Sequence, residues 1–139
     1  MSGIVHVVDD DASFRTAIQQ LLEAARYRVI TYASAQQFLD QRRDENSPGG
    51  ILLDVRMPGL SGPELQSRLT EVGSTRPIVF LTGYTDITVT VKAIKAGAHN
   101  FFTKPVNSDE LLKALERAIA RHETARALKG ELEALRARL

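Results

Sequence analysis

The sequence predicts an α/β domain built on a parallel five-stranded sheet, and three observations carry that expectation. Short β-branched runs recur at Ile4 to Val8, Tyr27 to Tyr32, Ile51 to Leu53, Ile78 to Leu81 and Phe101 to Thr103. The segments between them have helical periodicity, so strand and helix alternate. The chain has 139 residues, which suits one compact domain hiding about two thirds of its unfolded surface. Parallel neighbours need a crossover, almost always right-handed, and helical crossovers cover both faces of the sheet. The flavodoxin-like strand order 2-1-3-4-5 is the natural solution for five such strands.

Each helix carries its own signal. Phe14, Ile18, Leu21 and Leu22 make one apolar face for the first. "SAQQ" at Ser34 and "SGPE" at Ser61 read as capping boxes, and "NSDE" at Asn107 opens the last helix in a similar way. Pro58 and Gly59 make a turn before Ser61, and Pro63 falls in the first turn of the helix that follows. A fourth helix, about Asp86 to Ala96, carries Ile87, Val89, Val91 and Ile94, more apolar residues than one buried stripe uses. The last helix starts near Ser108 and packs Leu111, Leu112, Leu115, Ala118 and Ile119. Helical composition then continues to the final residue, with Leu128, Leu132, Leu135 and Leu139 in 4-3-4 spacing. Gly130 weakens that stretch by about 1 kcal/mol relative to alanine, so contacts with a partner or with the domain must hold it.

Bulk composition narrows the function classes. Eighteen basic and seventeen acidic residues leave a formal charge of +1, so no global field favours nucleic acid or an anionic membrane. With no cysteine there is no disulfide framework, thiolate metal site or thiol nucleophile. His6, His99 and His122 lack metal-ligand spacing, and apolar runs such as "PIVFL" are far shorter than the ~20 residues that span a bilayer. The opening "MSGIVHVV" has no basic leader or cleavage site. The expectation is a soluble, cytoplasmic protein.

The chemistry follows from what stands immediately after each apolar run. Asp9 and Asp10 follow the first, Asp54 the third, Thr82 the fourth and Lys104 the fifth. In a parallel sheet all of these lie on the edge formed by the strands' carboxyl ends, where open α/β sheets bind ligands. Crowded carboxylates repel, and a divalent cation removes that difficulty. Oxygen-only ligands favour a hard ion, and a few carboxylates with open positions suit Mg²⁺, with Mn²⁺ able to substitute. Lys104 adds a positive point charge and Thr82 a hydroxyl donor. Together these groups form an electrostatic cradle for a phosphoryl group in transfer, in which Asp54 can attack without a general base.

These residues and their spacing resemble the response-regulator receiver domain of two-component signalling over about residues 4 to 121. The resemblance rests on "VVDDD", "ILLDVRMPGLSG", "IVFLTGY" and "AIKAGAHNFFTKPV", in that order. It implies that Asp54 is the phosphoacceptor and that Asp9, Asp10, Asp54 and the backbone carbonyl of Arg56 bind Mg²⁺. It further implies that Lys104 contacts the phosphoryl group, that Thr82 is the switch hydroxyl, that Phe101 is the switch aromatic, and that the Lys104–Pro105 bond is cis. Asp11 falls outside the acidic pair and caps or starts the first helix. Arg56 and Tyr84 occupy positions where the family varies its dephosphorylation rate, and bulky Tyr84 is expected to limit the approach of water. His99 and Asn100 depart mildly from the family pattern, and no chemistry is attached to either.

"TGYTDITVTVKAIKAGA" and the ending "LEALRARL" resemble the FixJ-like, LuxR-type transcription regulators. That resemblance divides the chain into a receiver over residues 1–121 and a linker helix over 122–139, leading to a helix-turn-helix output domain that this chain does not contain. It implies a sensor histidine kinase as phosphoryl donor, DNA contact only through the output domain, and no membrane partner. Ile87, Val91, Lys95 and Phe101 are the candidate dimer surface, formed or strengthened by phosphorylation. A receiver acting alone through protein contacts is the alternative. A Mg²⁺-dependent aspartyl phosphatase fits less well, because such enzymes usually show D-x-D whereas Asp54 is followed by Val55 and Arg56. A flavin or nucleotide module would need a glycine-rich loop after "IVHVV".

Overall fold

The computed structural model describes residues 3–41, 48–83 and 87–138. Among the described residues, five strands, β1 (Ile4–Val8), β2 (Arg28–Tyr32), β3 (Gly49–Leu53), β4 (Ile78–Thr82) and β5 (Asn100–Thr103), alternate with five helices. The helices are α1 (Ala12–Ala24), α2 (Ala35–Gln41), α3 (Gly62–Glu71), α4 (Ile87–Lys95) and α5 (Ser108–Ala137). Every strand pairing is parallel and the order is β2-β1-β3-β4-β5, the flavodoxin-like arrangement.

β3 and β4 are buried along their whole length, as central strands covered on both faces must be. Successive side chains point to opposite faces and divide the core into two layers. Val5, Val7 and Leu52 pack with Ile18 and Leu22 of α1 and Leu111 and Leu115 of α5. Val8, Ile51, Leu53 and Phe80 pack with Phe38 of α2, Leu65 and Leu69 of α3 and Ala93 of α4. Each buried leucine or phenylalanine stabilises the fold by about 1.5–3 kcal/mol relative to exposure.

Strand boundaries differ from the β-branched runs for local reasons. Tyr27 belongs to the turn that ends α1, because its N–H donates to the Leu22 carbonyl at 3.0 Å, so β2 begins at Arg28. β3 begins two residues before Ile51, because Ile4 and Val5 of β1 pair with Gly49 and Gly50. At Gly49 a Cβ would collide with the Ile4 carbonyl oxygen, so only glycine continues the strand there.

The helix starts follow their caps. Asp11 is the N-cap of α1, its Oδ1 accepting from the N–H groups of Ser13 and Phe14 at 3.0 and 3.2 Å. Ser61 and Glu64 form a full capping box on α3, and Asn107 caps α5 by accepting from the Glu110 N–H at 3.0 Å. Before α2 the box is displaced: Ser34 Oγ accepts from the Gln37 N–H, but Gln37 Oε1 reaches back to the N–H of Ala33. α5 runs from Ser108 to Ala137 as one helix, long past the last core residue, Ile119. Among the described residues, no helix is long and apolar enough to cross a membrane.

Candidate functional site

Register places the site. Val8 pairs with Leu53, so the residues that follow, Asp9 and Asp54, emerge side by side at the carboxyl edge of the sheet. Thr82 ends β4 opposite Thr103 of β5, and Lys104 comes next. The Thr82 carbonyl accepts from the Lys104 N–H at 2.7 Å, which ties the two strand ends together.

Asp9 is buried, and both of its carboxylate oxygens are engaged. Oδ1 accepts from the Asp11 N–H at 2.9 Å and Oδ2 from Lys104 Nζ at 2.6 Å. Its backbone carbonyl accepts from the Arg15 guanidinium at 2.6 Å. Asp10 stands exposed on the rim. Asp54 is 7 % exposed, and its N–H donates to the Val8 carbonyl at 3.0 Å. One oxygen from each of Asp9, Asp10 and Asp54 can be chosen so that all lie within 4.8 Å of one another. Three carboxylates converging this closely, with only oxygen donors, fit a divalent cation.

Asp54 is the strained charge of the group. Burial, and then the neighbouring Asp9 carboxylate, push its pKa up to about 6, against the opposing pull of Lys104 and of a hydrogen bond with the Thr82 side chain. Lys104 Nζ lies 4.0 Å from Asp54 Oδ2 and 3.9 Å from the centre of the Phe14 ring. The Lys104–Pro105 bond is cis.

The loop after Asp54 is seated by the start of α3. A Cβ on Gly62 would collide with the Asp54 carbonyl oxygen, while the Gly62 N–H donates to the Val55 carbonyl at 2.9 Å. Arg56 is exposed on this loop. An open groove of about 550 Å³ on the loop's far side, lined by Met57, Pro63 and Val89 among others, holds none of the carboxylates.

The structure therefore brings Asp9, Asp10, Asp54, Thr82 and Lys104 to one place. Phe101 lies on β5 beside Phe80, ring centres 5.7 Å apart, and is partly buried against the core. On α4, Val89 and Ala93 turn toward the core, whereas Ile87 is 79 % and Val91 44 % exposed and Lys95 is also exposed. Tyr84 and Asp86 lie outside the described residues. Sequence reasoning missed Phe14 and Arg15 as neighbours of the site and took Phe14 only for core. The available signal was the cap: a helix starting at Ala12, directly after the acidic run, places its first turn against the strand ends.

Residues 5–116 match the family described as the response regulator receiver domain. The chain belongs to this receiver family. It is 41 % identical over 117 residues to the response regulator protein TmoT of Ectopseudomonas mendocina, covering 84 % of this chain and 53 % of TmoT. Among solved structures, the response regulator StyR superposes with a TM-score of 0.85 at 44 % identity, over 96 % of this chain and 69 % of StyR. Full-length FixJ from B. japonicum superposes with a TM-score of 0.82 at 38 % identity, over 98 % of this chain and 66 % of FixJ. This receiver chain spans about half the length of the first curated relatives it matches.

Proposed function

We propose that the receiver takes a phosphoryl group from a sensor histidine kinase onto Asp54 and so switches an output surface. The observation that carries this reading is the convergence of Asp9, Asp10, Asp54, Thr82 and Lys104 on one sheet edge. Asp9, Asp10 and Asp54, with the Arg56 backbone carbonyl, would hold Mg²⁺, and Mn²⁺ would substitute. The ion would offset the carboxylates' mutual repulsion and the charge that develops on the phosphoryl oxygens.

In the transfer, an Asp54 oxygen attacks the phosphorus of a phosphohistidine. A P–O bond forms as the P–N bond breaks, and the departing imidazole takes a proton from solvent. Asp54 must be ionised to attack, so no base is needed. Lys104 is within reach of the phosphoryl oxygens and supplies a positive charge where negative charge accumulates. Thr82, buried at the end of β4, donates its hydroxyl to the phosphate once that is attached, and Phe101 moves inward in concert with it. Arg56 and Tyr84 then set how readily water reaches the phosphoaspartate. A groove of about 470 Å³ between α1 and the loop after β5 opens beside Lys104, lined by Phe14, Ile18, Leu21 and Val106, and offers the donor protein an apolar seat.

The exposed Ile87, Val91 and Lys95 on α4, with Phe101 on β5, form the surface proposed to dimerise on phosphorylation. Residues 1–121 act as the receiver and 122–139 as the linker to a DNA-binding output domain, a reading supported by likeness to the transcriptional regulatory proteins FixJ and TdiR. Incubation with Mg²⁺ and acetyl phosphate followed by mass spectrometry tests the central claim. One added phosphoryl group on the wild type and none on Asp54→Asn is expected, and an unmodified wild type would refute it. Sedimentation with and without beryllofluoride tests the dimer switch, which self-association left unchanged by beryllofluoride would refute.

A further inference from the structure

The distal half of α5 leaves Leu128, Leu132 and Leu135 exposed at 56, 45 and 56 %. This stripe does not continue the face that seats α5 on the domain. At 3.6 residues per turn, its mean direction lies about 100° around the helix from that of Leu111, Ala114, Leu115, Ala118 and Ile119. An unbroken α5 therefore cannot fold these leucines back onto its own core, which leaves them as an apolar stripe open to a partner.

We propose that the occupant is the same segment of a second copy of this chain, paired as a parallel, two-stranded coiled coil from Ala125 to Leu135. Ala125 and Leu132 take the a positions, and Leu128 and Leu135 take the d positions. Charge selects the orientation. In a parallel pair, Glu131 at g meets Arg136 at the following e position of the second helix. An antiparallel pair over the same stretch sets Lys129 against Lys129 and Glu131 against Glu131. Gly130, unfavourable in an isolated helix, falls at f on the outer face and removes nothing from the seam. Arg121, at the d position one heptad before Leu128, would meet its own copy, so like-charge repulsion ends the pairing near the domain. This inference is independent of phosphoryl transfer at Asp54.

Sedimentation equilibrium of the full 139-residue chain, without phosphoryl donor, tests it. Concentration-dependent dimerisation is expected, weakened at least about tenfold by Leu132→Glu, a substitution at an exposed position that leaves the core untouched. Glu131→Arg should weaken it as well, and the exchange Glu131→Arg with Arg136→Glu should restore it, which a merely structural effect on the helix would not do. A chain that stays monomeric at every concentration overturns the proposal. So does a dimer that survives Leu132→Glu but is lost in Val91→Glu, since its contact would lie on α4 instead.

Discussion

Lys104 is held more closely by Asp9 than by Asp54: its ammonium lies 2.6 Å from Asp9 Oδ2 and 4.0 Å from Asp54 Oδ2. The cation that would serve the phosphoryl group is thus held by a carboxylate proposed for the metal. Lysine and metal ion compete for Asp9 through like-charge repulsion. Lys104→Ala is expected to bind Mg²⁺ about fivefold more tightly or better while phosphorylating at least about tenfold more slowly. Calorimetric titration and acetyl phosphate kinetics on one variant check the two opposite effects.

Asp54 gives the site a pH signature. The folded protein keeps this proton up to about pH 6, whereas the ordinary value is 3.8, so folding takes up a proton between them. Stability linked to Asp54 is therefore fully present below about 3.8 and is lost as pH rises through about 6. Without Mg²⁺ at pH 8, Asp54→Asn should stabilise the fold by on the order of 2–3 kcal/mol, and the gain should vanish toward pH 4, as urea unfolding can measure. The phosphorylation rate should fall in acid over the same range, with a midpoint that Mg²⁺ moves lower.

The adjacent aspartates separate by role. Asp10→Asn should weaken Mg²⁺ binding by about tenfold or more and leave stability almost unchanged, because Asp10 is an exposed rim carboxylate. Asp11→Ala should do the reverse and cost about 1 kcal/mol by uncapping α1. Parallel calorimetry and thermal melts distinguish them.

Phe14 lies against the Lys104 ammonium at 3.9 Å from ring centre to nitrogen. A cation–π contact at a partly exposed site contributes about 0.5–1 kcal/mol, so Phe14→Leu should slow phosphorylation about two- to fivefold. Phe14→Tyr keeps the ring and should restore the rate. A Phe14→Tyr variant as slow as Phe14→Leu would show that packing, and not the ring's charge distribution, is what matters.

Much of the fold was legible because its signals are local. Alternating β-branched runs and capped amphipathic helices gave every element, and the strand-end residues Asp9, Asp54, Thr82 and Lys104 gave the site's composition. What eluded sequence reasoning depends on non-local neighbours. Gly49 and Gly50 carry no β-branched signal, so the third run read from Ile51, yet both join β3 because β1 offers them partners. Phe14 carries the same apolar signal whether it packs in a core or against an ammonium.

The sequence by itself determined an alternating α/β domain, the carboxylates that converge on its edge, and the leucine spacing of its last helix. These follow from periodicity and from the rule that parallel strands end on one side. Tertiary structure alone decided that Lys104 rests on Asp9, that burial beside Asp9 makes Asp54 a weaker acid, and that the distal leucines of α5 point away from the core. Each depends on distances and angles between groups far apart in the chain. Electrostatic energy and burial vary with those distances, and no local pattern records them.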